Sequence, residues 1–405
     1  MSASTEIEKI SDFELKSIYT EYKRDIKEKI ENIYENDLIN NTLVEDIKPN
    51  ILSPDGIKKV AILDVGGSFF KIAIVELTKE GDQLSYDIKS VVEFPYPKET
   101  NRTKMQFWFD WVAKRYIKLM VKKNVVPDIC SLIFSYPIKY EYGGAYVLEL
   151  AKHWCFESTT SLNMDLEKYL NEAIDTEILE NYSFIEDARK FYVNSVLNDS
   201  VATLFSSKLI SNKKSVGVIL GTGTNGAIYI EYNGRQHVFN TEWGSYNPTK
   251  LTKLPEEVSF IESLKKKYNM LDILVGNGYK WNLINEIIDR RELSLEKYEE
   301  DLLGPIMERV DSDPHKKIAQ GLIIRSRQIM SMLVCAVIAN YGESEVLVLL
   351  NGSGYGNKAQ RLASLKMIRE YSKSICDLNV EIDVHYEDGL TFIGAAYYAY
   401  AKTSN

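Results

Sequence analysis

Apolar positions near the start of the chain fall at Ile7, Ile10, Phe13, Leu15, Ile18, Tyr22, Ile26, Ile30 and Ile33. Apart from the short step at Leu15 they lie three or four residues apart, which lines one face of a long helix within residues 5–37. That face is expected to dock on the chain's own body, ahead of a partner-binding role. The stretch Pro49-Asn50-Ile51-Leu52-Ser53-Pro54-Asp55-Gly56 reads as a connector. The period then changes. Residues 60–67 are an apolar run ending in a glycine turn, and residues 69–77 resume it, so two strands joined at that turn are predicted. Residues 131–136 predict a further strand, and residues 160–195 read as helical. Residues 216–220 and 227–230 flank a second glycine turn. A long apolar-faced helix over 316–341 leads to a strand at 346–350 and a third glycine turn, and a last helix starts near Phe392. The strand-turn-strand unit at 60–77 recurs at 216–231, as two related α/β lobes with a cleft between them would produce.

Composition narrows the classes. The 405 residues suggest two or three domains or one large two-lobed enzyme. Hydrophobic residues make up 45% and charged residues 26%, enough apolar material for sizeable cores. The formal charge of −9 argues against nucleic acid as the main partner, because phosphate backbones need a basic surface. The four cysteines, Cys130, Cys155, Cys335 and Cys376, form no CxxC pair, which fits a reducing compartment. The four histidines show no zinc-ligand spacing, so no metal held directly by side chains is expected. No signal-peptide core and no apolar run of membrane-spanning length is read. The expectation is a soluble, cytoplasmic protein with no membrane span.

Four segments carry candidate chemistry. Asp64-Val65-Gly66-Gly67-Ser68 ends a strand in a turn whose amides and hydroxyl could meet a phosphate, with Asp64 able to hold magnesium through water. Taken alone, the segment is better explained as an ordinary hairpin with a polar turn. Gly221-Thr222-Gly223-Thr224-Asn225-Gly226 joins two apolar strands, with neither the lysine of a Walker A loop nor the helix of a dinucleotide fingerprint. Together with Asn351-Gly352-Ser353-Gly354, the two turns favour nucleotide phosphates. Asn198-Asp199 precedes a helix. Asp199 or Ser200 is either its cap or, for Asp199, a general base. Asn240-Thr241-Glu242-Trp243-Gly244 offers a carboxylate to sugar hydroxyls, or is a surface turn.

Taken in order, these segments resemble the hexokinase family of eukaryotic sugar kinases. The run from Leu63 to Lys71 is similar to the family's LDLGGTNFR. Phe134-Ser135-Tyr136-Pro137 is similar to FSFP, residues 196–203 to VNDTVGT, and Gly221-Thr222-Gly223-Thr224-Asn225 to GTGTN. Residues 240–244 match NTEWG, residues 298–304 are similar to FEKMISG, residues 351–355 to DGSVY, and Gly394-Ala395-Ala396 to the terminal GAA. The resemblance spans roughly residues 60–400. It implies an α/β, two-lobed, actin-like (ribonuclease H-like) sugar kinase fold with a central cleft. The lobes would be residues 51–197, with 391–405 returning near them, and 198–390. Residues 1–50 would be a helical segment docked on the larger lobe.

The resemblance also implies roles. Asp199 would be the base for the sugar's 6-hydroxyl. Ser135, Lys152, Asn198, Asp199, Asn225, Glu242 and Glu299 would line the sugar pocket. Gly66, Gly67, Ser68, Lys71, Gly221, Thr222 and Gly223 would face the phosphates of ATP, Gly352 and Ser353 would lie near the nucleoside, and Asp64 would order a water-mediated magnesium shell. The implied partners are a hexose and ATP, with glucose the default sugar and the protein a monomer or homodimer. There are departures. Ala151 stands where the family has threonine, His153 where it has glycine, and Lys71 where it has arginine, and Glu296 competes with Glu299. They leave two alternatives open: an N-acetylhexosamine kinase, with N-acetylglucosamine as substrate, and a catalytically weak sugar sensor.

Overall fold

The computed structural model describes residues 4–34, 42–50, 53–96, 105–148, 162–264, 268–298, 306–307, 310–355 and 357–404. The chain divides into two compact units. The first is Met1–Asn32, Val218–Gly226 and Thr241–Tyr386, and the second is Ile33–Gly217, Ala227–Asn240 and Glu387–Asn405.

The strands in chain order are β1 (Val44–Glu45), β2 (Gly56–Val65), β3 (Phe69–Glu80), β4 (Gln83–Pro95), β5 (Ile129–Phe134), β6 (Ile138–Glu141) and β7 (Gly144–Val147). They continue as β8 (Ser195–Leu197), β9 (Ser215–Leu220), β10 (Thr224–Tyr232), β11 (Arg235–Asn240), β12 (Glu345–Asn351) and β13 (Glu381–His385). The second unit holds a five-stranded sheet in the order β4-β3-β2-β5-β8. Its β2, β3 and β4 pair antiparallel, whereas β2-β5 and β5-β8 pair parallel. Helices cover both faces, so β5 is buried at every position and reads as a continuous apolar run. Alternation along β2 sends Ala61, Leu63 and Val65 to one core, with Trp108, Phe109 and Phe134. It sends Val60 and Ile62 to the other, with residues of helices Asp199–Phe205 and Leu390–Ser404. A second sheet takes the order β1-β11-β10-β9-β12-β13, and β6-β7 form a separate hairpin.

Helix Pro314–Ile338 is the core of the first unit. Its apolar window has a mean hydropathy of 1.5, long and apolar enough to cross a membrane, and 83% of that window is buried inside the protein. The N-terminal helix spans Asp12–Glu31 and runs on into the 3₁₀ turn Asn32–Tyr34; of the expected 5–37, residues 35–37 lie outside the described residues. Ser11 and Glu14 form a reciprocal capping box that fixes its first turn, and residues 4–10 are not helical. Of the expected helical stretch 160–195, residues 160–161 lie outside the described residues, and the rest holds helix Leu166–Asn181, capped by Asp165, and the short 3₁₀ turn Ala188–Phe191.

Residues 198–217 and 227–240 go with the second unit. Within it, helix Asp199–Phe205 packs closely against Leu390–Ser404. A Cβ on Gly394 would lie 1.7 Å from the Ala202 carbonyl oxygen.

Candidate active site

In the second unit, three parallel strands end at the same edge of the sheet, where α/β folds place their ligands. At the end of β2 stand Asp64 and the turn Gly66-Gly67-Ser68, after β5 comes Ser135, and after β8 come Asn198 and Asp199. The first turn is closed by the Gly66 N–H, which donates to the Phe69 carbonyl at 3.1 Å, and the Tyr96 hydroxyl donates to the Gly66 carbonyl at 2.9 Å. The Ser135 N–H donates to the Val65 carbonyl at 3.1 Å, tying the second strand end to the first.

Asn198, not Asp199 or Ser200, is the cap of helix Asp199–Phe205. Its Oδ1 accepts from the Ser200 N–H at 3.0 Å and Oγ at 2.9 Å. Its Nδ2 donates to the Phe134 and Tyr136 carbonyls at 3.4 Å each. One amide thus fixes the start of the helix against the end of β5. Asp199 is the first helical residue, half-buried, and its Oδ1 accepts from the Ser200 N–H at 2.8 Å.

Asp64 and Lys71 are cross-strand partners, as are Lys71 and Glu93. The Lys71 ammonium lies 2.8 Å from the Glu93 carboxylate. The Asp64 carboxyl is pushed up to about 7: burial raises it most, Lys71 opposes the rise, and the charges of Asp199 and Glu93 add to it. The group therefore binds its proton more tightly in the folded state than in the unfolded chain. Folding is favoured by this group below its unfolded value near 3.8, and that stability is lost as pH rises to about 7. Asp64→Asn is accordingly expected to raise the thermal midpoint at pH 7.5 and to leave it nearly unchanged at pH 4. A midpoint that falls at both pH values would remove this account of Asp64.

In the first unit, Gly221-Thr222-Gly223 joins β9 to β10, with the Gly221 N–H donating to the Gly223 carbonyl at 2.9 Å. The Asn277 N–H donates to the Gly221 carbonyl at 2.8 Å and the Gly278 N–H to the Thr222 carbonyl at 3.0 Å. Gly352, at φ +114°, leaves no room for a Cβ, which would lie 2.3 Å from the Leu220 carbonyl oxygen. The structure thus brings Gly221, Thr222, Gly223, Gly352 and Ser353 together, backbone against backbone. It adds residues the sequence reading did not single out: Asp272, whose carboxylate accepts from the Thr224 N–H at 2.9 Å, and Gly276 and Gly278 against Thr222. The glycine pair Gly276-Asn277-Gly278 was the available signal.

Asn225 is buried, and its Nδ2 donates to Glu242 Oε1 at 3.2 Å. Glu242 sits at φ 45°, ψ 41°, a left-handed conformation that costs a non-glycine residue about 1–2 kcal/mol. Its neighbours hold it there. The Trp243 indole donates to Thr224 Oγ1 at 2.9 Å, and its ring fills the space a Cβ on Gly226 would need. Strained backbone held by its surroundings is a mark of functional sites.

Lys152 and Glu299 lie outside the described residues, as do Ala151, His153 and Trp154. Glu296 is exposed, and its backbone carbonyl accepts from His315 Nε2 at 2.9 Å. Among the described residues no three His, Cys, Asp or Glu side chains gather as a metal cage.

The sequence model of the family described as hexokinase matches residues 7–209, half of the chain. The chain belongs to the hexokinase family. The rat protein Hexokinase-1 is 28% identical over 255 residues, 59% of this chain and 26% of the rat protein. The rice protein Hexokinase-10 is 24% identical over 213 residues, 49% of this chain and 39% of the rice protein. The matched stretch thus spans less than half of each relative. Among solved structures, a hexokinase from Schistosoma mansoni complexed with glucose superposes with a TM-score of 0.75 at 18% identity, covering 97% of this chain and 96% of that one. The fold is the two-lobed actin-like sugar kinase fold.

Proposed function

We propose that the chain is an ATP-dependent hexokinase that transfers the γ-phosphoryl group of ATP to the 6-hydroxyl of a hexose, glucose by default. The observation that carries this reading is the common strand edge of the second unit, which supplies Asp64, Ser135, Asn198 and Asp199 together. Phosphoryl transfer needs positioning, charge neutralisation and one proton acceptor.

Asp199 takes the proton of the attacking hydroxyl. Its half-buried position at the start of a helix capped by Asn198 supports that role. Ser135 binds the sugar from the same edge. Asn198 acts first as the group that holds Asp199 and the end of β5 in register. The Asn225 amide donates to sugar hydroxyls and the Glu242 carboxylate accepts from them. The backbone of Gly66, Gly67, Gly221, Thr222 and Gly223, with the Ser68 hydroxyl, faces phosphates, and Gly352 and Ser353 the nucleoside.

Lys71 must exchange its Glu93 carboxylate for a phosphate oxygen, and as a point charge it lacks the fork of an arginine. Asp64 fits a hydrated magnesium ion. It is a hard oxygen donor whose proton is held by burial and neighbouring carboxylates, and a nearby cation would release that proton. Bound with ATP, the ion neutralises phosphate charge.

A coupled ADP-release assay with ATP, magnesium and each of glucose, mannose, fructose and N-acetylglucosamine tests the proposal. ADP release that depends on a hexose and is fastest with glucose is the expected result. Sugar-independent release, or none, would refute it. Preference for N-acetylglucosamine would transfer the assignment to the amino-sugar kinase.

A further inference from the structure

The N-terminal helix is built onto the segment that follows Glu242. Residues 246–254 between the Trp243–Ser245 turn and helix Pro255–Ser263 are irregular, so their backbone donors need partners from elsewhere. Two of them find carboxylates of helix Asp12–Glu31. Glu21 accepts from the Thr249 N–H at 3.2 Å and from Thr249 Oγ1 at 2.9 Å, and from the Tyr246 hydroxyl at 3.4 Å. Glu14, whose other oxygen closes the capping box, accepts from the Thr252 N–H at 2.8 Å. Next to the Glu21 clamp Tyr22 is completely buried, its ring edge-on to Trp243 at 6.4 Å and tilted on Tyr246 at 4.8 Å. Trp243 directly follows Glu242, the residue held in the left-handed region. The helix therefore grips the segment that leaves the strained position, through an aromatic stack on the next residue and carboxylate clamps seven and ten residues on.

We propose that Glu21 and Tyr22 are positioning residues for sugar binding: the N-terminal helix holds Glu242 in its strained, sugar-facing backbone state. The proposal rests on the reading of Glu242 as a sugar ligand.

Glu21→Ala removes the clamp without opening a core cavity, because Glu21 is only half-buried. Glu21→Gln is the conservative rescue. Its amide oxygen accepts from the Thr249 N–H, and its amide nitrogen donates to Thr249 Oγ1. In the full chain, Glu21→Ala is expected to raise amide hydrogen exchange within residues 242–250 and to raise the KM for sugar by about 3- to 10-fold, or about 0.7–1.4 kcal/mol at ~1.4 kcal/mol per tenfold. The KM for ATP should stay unchanged, and Glu21→Gln should return both readouts to the wild-type values. Unchanged exchange in residues 242–250, or altered exchange with an unchanged sugar KM, would overturn the proposal. So would equal rises in both KM values. Should the wild type turn over no sugar at all, the functional reading fails, while the exchange measurement still decides whether the helix holds this segment.

Discussion

Asp199→Asn is expected to lower sugar-dependent turnover by about 10²–10⁴-fold, the usual contribution of a general base. Affinity for the sugar should stay within a few-fold of wild type. The substitution is close to isosteric. The asparagine oxygen can still accept from the Ser200 N–H, which Asp199 Oδ1 now does at 2.8 Å, and the cap of the helix belongs to Asn198 and is untouched. What is lost is the capacity to accept a proton near neutral pH, so the effect should fall on kcat rather than on folding or binding. Turnover and equilibrium sugar binding, measured separately, check it. Turnover within a few-fold of wild type would show that another group, or the solvent, takes the proton.

The position of the cap also shows how far the sequence could be read. That a helix begins after residues 198–199 was legible from the apolar run before it and the polar residues at its start. Which residue caps it was not, because Asn, Asp and Ser are all good caps. The decision came from the end of β5, where the Asn198 amide donates to the carbonyls of Phe134 and, two residues on, Tyr136. Glycine turns were visible because glycine spacing is local. Their joining at Gly221, Gly276, Gly278 and Gly352 was not, since it depends on segments more than fifty residues apart meeting in space. The hairpin partner β4 escaped notice because its positions alternate between half-buried and exposed and carry charges at Asp87, Lys89 and Glu93. Its sequence lacks the apolar runs that mark β2 and β5. The same strand supplies Glu93, so the ion pair that occupies Lys71 was invisible for the same reason. The N-terminal helix was legible as an amphipathic element. Its docking partners were not, since Glu14 and Glu21 on its polar side look like ordinary solvated charges until the irregular segment 246–254 is placed beside them.

Gly394→Ala is expected to be the most damaging single-methyl change in the second unit. Gly394 lies inside helix Leu390–Ser404, where intrinsic propensity alone would make alanine better than glycine by about 0.8–1.0 kcal/mol. Packing reverses the sign. The added Cβ would sit 1.7 Å from the Ala202 carbonyl oxygen, 2.7 Å from the Ser206 nitrogen and 2.8 Å from the Ala202 carbonyl carbon. All three are backbone atoms, so no side-chain rotation relieves the clash, and the two helices must separate. Overpacking of this kind costs about 1–3 kcal/mol and more where backbone has to move. Both helices lie in the core that also holds Val60 and Ile62 of β2, so the separation loosens packing well beyond the contact itself. Helix Asp199–Phe205 carries Asp199 at its first position, so any shift that preserves the fold also displaces the proposed base. Chemical denaturation of Gly394→Ala beside Ala395→Gly distinguishes the causes. The first should lose stability despite its better helix former, whereas the second, in the same buried helix, loses propensity and one methyl contact. A Gly394→Ala protein at least as stable as wild type would mean that the two helices do not approach at this glycine.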